Sequence, residues 1–176
     1  MKILLVVDVQ KDFIDGTLGS NDAQKVLPEI QKYINDCRKM GYTIIFTQDS
    51  HKPRDKRNIR TLEETLIPDH CIDTREGSAI MVPIAAAEDI IVKSDFMMDI
   101  TDAKEIKDII KEYSNTTIEI IGFCTDICVI SNALLLRKLC PCIPITIIES
   151  LCAGTSKEAH KAALTVAKSC LIDVSK

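Results

Sequence analysis

The chain has 176 residues, 46% of them hydrophobic, with 22 lysines and arginines against 26 aspartates and glutamates. This length suits one domain with a substantial core, and we expect a single domain over residues 1–176. The net charge of −4 and the scattered lysines exclude the basic stripe of a nucleic-acid-binding protein. No run approaches the roughly 18 apolar residues of a membrane span, so we expect no membrane partner.

Eight cysteines are the unusual feature of the composition. Most lie inside apolar or helical patterns, and a core of this size does not need disulfides. We therefore expect reduced thiols and a cytoplasmic protein. The sequence contains no Cys-x-x-Cys pair, which argues against structural zinc and thioredoxin-like redox chemistry.

Apolar segments of strand length alternate with segments of helical periodicity. The predicted strands cover residues 3–7, 43–47, 89–92, 117–121 and 143–148, with a less pronounced one at 171–174. The predicted helices cover residues 24–40, 102–113, 129–139 and 157–169. This alternation predicts an α/β fold, namely one three-layer α/β/α domain whose mainly parallel, six-stranded sheet is covered on both faces.

Helix boundary signals support these assignments. Gly41 follows the first predicted helix, Thr101 or Asp102 can cap the second, and Thr155-Ser156 precedes the last. Residues 49–87 are the exception, because they show charged runs and prolines with little periodicity. A connection of that length is usually functional or disordered.

Polar residues follow four of the predicted strands. Asp8, Asp49 and Lys93 lie at or just past the ends of the first three strands, and the turn at residues 124–128 follows the fourth. The carboxyl ends of parallel strands share one sheet edge, where the ligand crevice forms. Cys128 also lies where a helix begins, and we expect the helix dipole to favour its thiolate form.

A thiol that attacks a carbonyl needs a base, a cation and donors for the developing oxyanion. Asp8, Lys93 and the backbone amides of Cys124 and Cys128 can supply them. Taken singly, each residue has an ordinary alternative: a loop cap, a solvated strand end or a small core side chain. The catalytic hypothesis therefore depends on their convergence.

Several motifs resemble those of a known family. They are Val-Val-Asp-Val-Gln-Lys-Asp-Phe at 6–13, Thr-Gln-Asp-Ser-His at 47–51, Pro-Asp-His-Cys at 68–71, Gly77, Lys93 and Gly-Phe-Cys-Thr-Asp-Ile-Cys-Val at 122–129. In these motifs the chain resembles the isochorismatase-like cysteine hydrolase superfamily and, within it, the nicotinamidases. The motifs occur in order over most of the chain.

The resemblance implies a catalytic set. Cys128 would be the nucleophile, Asp8 the general base and later acid, and Lys93 the cation that holds both. The amides of Cys124 and Cys128 would form the oxyanion hole, aimed by a cis peptide between Phe123 and Cys124. A small-molecule amide would pass through a thioester to an acid and ammonia.

A metal site is the second implication. Asp49 and His51 share a side of an extended chain, and His70 can join them from the loop. A carboxylate with imidazoles suits zinc, manganese or iron, although lone histidines on a charged loop are usually solvated. The resemblance favours a divalent metal, with zinc first. Glu63 or Glu64 could add a ligand, and Glu64 is our candidate.

The resemblance to nicotinamidases implies nicotinamide as substrate, with Phe13, Ile67 and Phe96 in the pocket. Ser50 and Ile67 stand where that family usually carries aromatic residues, so a hydrolase or amidase of other substrate, or a metal-free one, is an alternative. The cysteine count also leaves a non-catalytic α/β binding module or redox-sensing scaffold open. Apolar helices and the habit of the family favour a homo-oligomer.

Overall fold

The computed structural model describes residues 1–53, 61–93, 96–111 and 115–176, without the side chains of Glu64, residues 89–92 and Lys111. A sheet runs through these ranges. Its strands are β1 (Lys2–Val7), β2 (Thr43–Asp49), β3 (Asp89–Lys93), β4 (Thr117–Phe123), β5 (Ile145–Ala153) and β6 (Asp173–Ser175). Their spatial order is β3-β2-β1-β4-β5-β6, and every neighbouring pair is parallel. The predicted α/β fold with a parallel sheet is confirmed.

Helices connect the strands and cover the sheet. They are α1 (Lys11–Ile14), α2 (Asn21–Lys39), α3 (Leu62–Leu66), α4 (Ile100–Lys111), α5 (Ile130–Leu139) and α6 (Lys157–Ser169), with a 3₁₀ turn at Glu76–Ser78 and a π turn at Thr125–Val129. Within the described ranges, no helix has both the length and the apolarity that crossing a bilayer requires.

Strand β1 separates two apolar cores because its side chains alternate between the faces of the sheet. Ile3, Leu5 and Val7 join the core under α4, α5 and α6. Leu4 and Val6 join the core under α1 and α2. Both faces of β1 are therefore buried, which explains why its sequence is a continuous apolar run.

Capping residues set the helix boundaries. Ser20 and Ser156 each accept a hydrogen bond at 3.0 Å from a backbone amide of the helix that follows, and these two side chains start α2 and α6. Gly41, with φ of 74°, ends α2 as predicted. Helix α2 begins three residues earlier than the sequence predicted because Ser20 provides the cap.

Boundaries of α4, β5 and β6 also differ from the predicted ones, for identifiable reasons. Helix α4 begins at Ile100, because the Asp99 carboxylate accepts from the Thr101 amide, so neither Thr101 nor Asp102 is the cap. Strand β5 begins after Pro144 and extends to Ala153, beyond the predicted end. Strand β6 starts at Asp173, since Leu171 has a φ of 61° that extended backbone does not allow.

The described part of the long connection, residues 61–87, is organised around Asp12. The Asp12 carboxylate accepts a 2.7 Å hydrogen bond from the Cys71 amide. A Cβ at Gly77 would lie 2.0 Å from Asp12 Oδ2, so a larger residue there would displace this carboxylate. This connection is thus held against α1, and it brings His70 to the edge of the sheet.

The order in which strands are added to the sheet changes side between β1 and β4. The strands following β1 extend to one side, and those following β4 extend to the other. Ligand crevices form at such a switch point, outside the carboxyl ends of the strands. Asp8 directly follows β1 and residues 124–128 directly follow β4, so both lie beside it.

Candidate active site and metal centre

Asp8, Lys93 and Cys128 meet at the carboxyl edge of the sheet. The Lys93 Nζ lies 2.8 Å from Asp8 Oδ2 and 3.5 Å from Cys128 Sγ. The three residues are 0%, 4% and 3% exposed, respectively. The structure therefore brings together the side chains on which the catalytic hypothesis depends, while their catalytic roles stay predictions.

The environment of Asp8 suits a group that exchanges a proton. Its Oδ1 accepts a 2.6 Å hydrogen bond from the Thr47 hydroxyl. Burial raises the pKa of Asp8, and the charge of Lys93 opposes that shift without cancelling it. A carboxyl whose pKa is raised toward neutrality is a better general base and acid than an ordinary aspartate.

The pKa of the Cys128 thiol is shifted in the direction opposite to the one that its position at the start of a helix suggested. Burial and the Asp8 carboxylate raise the pKa of Cys128 well above its usual range, and Lys93 offsets only part of this. Desolvation thus opposes the helix dipole, which we expected to favour the thiolate. Cys128 is the fourth residue of a π turn, and its raised pKa favours the neutral thiol, so attack by the sulfur needs a base that accepts the proton.

The backbone before the π turn has the predicted form, since the peptide between Phe123 and Cys124 is cis. The amides of Ile127 and Val129 both donate to the Cys124 carbonyl at 3.1 Å, which closes the turn. The proposed use of the Cys124 and Cys128 amides as an oxyanion hole stays a prediction.

A cavity of about 420 Å³ opens above the thiol. Its lining residues are Phe13, Leu18, Gly19, Ser20, Glu63, Ile67, His70, Phe96, Cys124, Ile127, Cys128 and Thr155. The predicted pocket residues Phe13, Ile67 and Phe96 all line it. Mostly apolar walls with a few polar groups are typical of a site for a small molecule.

Four potential metal ligands lie beside this cavity. Asp49, His51, Glu63 and His70 are all buried, and their ligand atoms lie within 4.8 Å of one another. Asp49 Oδ2 is 3.1 Å from His51 Nε2 and 3.2 Å from His70 Nε2. Glu63 Oε1 is 3.6 Å from His70 Nε2. The cluster combines the end of β2 with α3 and the following loop.

These residues fit a divalent metal. In the described part of the chain, the buried Glu63 Oε2 has no hydrogen-bond partner, which is costly unless a ligand satisfies it. His70 Nδ1 lies 2.8 Å from the Pro68 carbonyl, and by donating to it leaves Nε2 as the ligand nitrogen. Two imidazoles and two carboxylates are a donor set for zinc, manganese or iron.

Glu63 stands where we expected Glu64. The side chain of Glu64 lies outside the described residues, whereas that of Glu63 is in the cluster. The sequence offered two adjacent acids, and it did not predict the short helix α3, which carries Glu63 into the cluster.

Hydrogen bonds within the cluster shift the pKa values of its members. Burial would lower the pKa of His70, but hydrogen bonds to Asp49 and Glu63 raise it to about 10. Burial would raise the pKa of Asp49, but hydrogen bonds with both histidines lower it overall. Lys93 also lies 3.6 Å from Asp49 Oδ1, so one ammonium connects the cluster to Asp8 and Cys128.

Other residues of the site were not anticipated from the sequence. The Gln10 side chain donates to the Asp49 carbonyl at 2.9 Å and accepts from the Asp49 amide at 2.8 Å, which fixes the end of β2. Gln10 belongs to the first motif, so the motif was the available signal. Ser20 and Thr155 also line the cavity, and nothing in the sequence indicated this.

Comparison with known proteins is consistent with this geometry. The family model described as the isochorismatase domain matches residues 2–176. The chain belongs to the isochorismatase domain family. This membership confirms the expected resemblance and the class of enzyme, a hydrolase. The match of the family model includes β1, β4 and the π turn, and therefore the residues around Asp8 and Cys128.

Individual members of the isochorismatase domain family show the same similarity over nearly the whole chain. A nicotinamidase of Schizosaccharomyces pombe is 27% identical over 97% of this chain and 91% of its own. The structure of a pyrazinamidase of Pyrococcus horikoshii in complex with zinc has a TM-score of 0.83, at 24% identity over 99% of this chain and 98% of its own. A nicotinamidase from Bacillus subtilis has a TM-score of 0.80, at 23% identity and 99% coverage of both chains.

Proposed function

We propose that this hydrolase is a metal-containing nicotinamidase, which converts nicotinamide and water to nicotinate and ammonia. The observation that carries the proposal is the position of Lys93, whose ammonium lies within 3.6 Å of Asp8, Cys128 and Asp49. The proposed nucleophile, the proposed base and the candidate metal cluster thus adjoin one ammonium group. The similarity to curated nicotinamidases supports the choice of amide.

The first half of the reaction forms a thioester. Asp8 accepts the proton of the Cys128 thiol as the sulfur attacks the carboxamide carbon. The amides of Cys124 and Cys128 donate to the oxyanion. Asp8 then returns the proton to the departing nitrogen, the carbon–nitrogen bond breaks, and ammonia leaves.

The second half releases the acid. Asp8 accepts a proton from a water molecule that attacks the thioester carbonyl, and the carbon–sulfur bond breaks. Lys93 stabilises the thiolate as it departs, until the proton returns to Cys128. The same carboxyl therefore acts as base and acid in both halves, for which its raised pKa is suited.

Asp49, His51, Glu63 and His70 would hold the metal, and zinc is the first choice because a structural neighbour was solved in complex with zinc. When bound, a divalent metal supplies a Lewis acid for the ring nitrogen of the substrate, directly or through water. Manganese and iron suit the same donors. Phe13, Ile67 and Phe96 would enclose the ring.

Ammonia release from nicotinamide by the zinc-loaded protein tests this proposal. We expect turnover by the wild type, none by Cys128→Ala and unchanged turnover by Cys142→Ala, which removes an exposed thiol. Treatment with a chelator should reduce turnover, and zinc should restore it. Wild-type protein that retains metal but releases no ammonia from nicotinamide would refute the choice of substrate.

The aliphatic part of the cavity favours a second candidate, a hydrolase of the same family that acts on another amide. Ile67 and Leu18 line the cavity, and a flat ring does not need aliphatic walls. A panel of aromatic and aliphatic amides distinguishes the two. A kcat/KM for an aliphatic amide well above that for nicotinamide would replace the first proposal with the second.

We also propose a cellular setting. Eight free cysteines support a reducing compartment such as the cytoplasm, where the reaction would serve NAD salvage. The net charge of −4 supports a protein without nucleic-acid partners. Self-association would place apolar surface such as Leu62 and Leu66 out of water. Light scattering after size-exclusion chromatography tests it, and a monomer at micromolar concentration would contradict it.

A further inference from the structure

Thr125 and Asp126 belong to the motif that contains Cys128. Asp126 reaches the connection between β5 and α6, and Thr125 reaches the first turn of α6. The Asp126 carboxylate accepts hydrogen bonds from the Thr155 amide at 2.8 Å and from the Thr155 hydroxyl at 2.5 Å. Thr125 Oγ1 lies 2.8 Å from His160 Nδ1. Asp126 thus holds the connection itself, and Thr125 holds the helix that follows it.

The connection between β5 and α6 separates two cavities. Thr155 lines the cavity above Cys128, whereas its neighbours Gly154 and Ser156 line a second cavity of about 310 Å³. A wall with open space on both sides is not fixed by close packing. The hydrogen bonds from the nucleophile turn are therefore well placed to set the position of Thr155.

The local sequence permits a close approach of the carboxylate. A Cβ at Gly154 would lie 2.5 Å from Asp126 Oδ1, so only glycine allows Asp126 to reach the wall. Thr155 is exposed and Asp126 is partly exposed, and exposed polar pairs contribute little to the stability of a fold. The contact between Asp126 and Thr155 is therefore better explained by the position that it gives Thr155 than by a contribution to the stability of the fold.

We propose that Asp126 is a positioning residue that holds Thr155 in the wall of the active-site cavity, where Thr155 contacts the acyl part of the bound amide. The proton of the Thr155 hydroxyl is donated to Asp126. The hydroxyl therefore offers the substrate a hydrogen-bond acceptor, and the adjoining methyl group offers an apolar contact. The role of Thr155 in substrate binding rests on the proposed amide hydrolysis.

Steady-state kinetics with nicotinamide and the zinc-loaded full chain provide one test. Asp126→Asn and Thr155→Val should each raise KM about tenfold, the size expected for one lost hydrogen bond to a charged group, with kcat within about threefold of the wild type. Thr155→Ser keeps the hydroxyl and should stay within about twofold. The double variant should match either single one, because both remove the same contact.

A second measurement needs no turnover. Without the hydrogen bonds from Asp126, the segment around Thr155 should move more freely. Asp126→Asn should therefore increase the rate of hydrogen exchange at the Thr155 amide and the rate at which iodoacetamide labels Cys128. Asp36→Asn is the matched control, because it neutralises an aspartate of similar exposure on α2, and it should change neither. A purely structural role would instead lower the melting temperature and leave KM unchanged.

The two measurements separate this proposal from the nicotinamidase proposal. Wild-type protein that hydrolyses no amide refutes the proposed function, and faster labelling of Cys128 in Asp126→Asn would still support the positioning role. Asp126→Asn protein with wild-type KM and wild-type labelling overturns the positioning role, whatever the substrate. Additive effects in the double variant would overturn it as well.

Discussion

At the scale of single residues, burial decides the state of the nucleophile. Cys128 lies in the first turn of a helical segment, a position that normally favours a thiolate. Here the thiol is 3% exposed and faces the Asp8 carboxylate, and both conditions favour the protonated form. Under the proposed mechanism we therefore expect Cys128 to react by proton transfer to Asp8 and not as a preformed thiolate.

The rate of Cys128 alkylation tests this state. Because the pKa of Cys128 is raised, its thiolate fraction is small at pH 7 and should grow about tenfold per pH unit as the pH rises toward that pKa. Labelling by iodoacetamide, located by mass spectrometry, should follow this increase. Asp8→Asn removes a charge that raises the pKa, so labelling at pH 8 should accelerate while turnover falls at least about 100-fold.

The exposed Cys142 of the same molecules is the internal control for this experiment, and its labelling should not respond to Asp8→Asn. Labelling of Cys128 faster than that of Cys142 at pH 7 would show a preformed thiolate. That result would contradict the assignment of Asp8 as the base.

A second prediction at this scale concerns the adjacent acids of α3. Glu63→Gln keeps the size of the side chain but removes a carboxylate from the cluster, so zinc affinity should fall about 10- to 100-fold. Competition with a chromophoric chelator measures this. Glu64→Gln is the matched control and should bind zinc as the wild type does; the opposite pattern would identify Glu64 as the ligand.

At the scale of secondary-structure elements, the contact between β1 and β4 brings Asp8 and Cys128 together. Gly122 pairs with Val7 and has a φ of 120°, and a Cβ there would lie 2.0 Å from the Val7 carbonyl oxygen. A glycine at this position therefore lets β4 pass close to the residue before Asp8. It also sets the start of the turn that carries Cys128.

Substitution of two glycines tests this contact. Gly122→Ala should lower the free energy of unfolding by about 3 kcal/mol, since both the strained φ and the clash with Val7 must be accommodated. Gly41 also has a positive φ, of 74°, which lies nearer the left-handed helical region, and a Cβ there would meet nothing within 4 Å, so we expect Gly41→Ala to lose about 1 kcal/mol. Urea denaturation measures both, and equal losses would show that the contact with Val7 is unimportant.

At the scale of the whole molecule, metal binding joins parts of the chain that are distant in sequence. The four candidate ligands come from the end of β2, from α3 and from the loop at residues 68–71. A metal that binds only the folded chain stabilises it by mass action. Stability should thus report on the site without any assay of activity.

Zinc should raise the melting temperature of metal-stripped protein. At a free zinc concentration 100 times the Kd, the gain is about 2.7 kcal/mol, or about 5–10 °C for a chain of this length. Calorimetry measures the shift. Asp49→Asn should lose most of this shift, and Asp173→Asn, a surface control on β6, should retain it. The same melting temperature with and without zinc would contradict a metal site.

The sequence by itself determined the alternation of strands and helices, because burial on both faces of a parallel sheet leaves continuous Ile- and Val-rich runs. It also determined the family, since Asp8, Lys93 and the residues around Cys128 stand in recognisable motifs. Short elements such as α3 carry too few residues for periodicity, and so the choice between Glu63 and Glu64 was open.

Only the tertiary structure decided the direction of the pKa shift of Cys128, the presence of Glu63 among the candidate metal ligands and the hydrogen bonds between Asp126 and Thr155. Each depends on burial or on distances between residues that are far apart in the chain. Desolvation acts through all atoms around a group, whereas a local motif reports only on its neighbours in sequence. The motif indicated which residues matter, and the packing around them determined their chemical state.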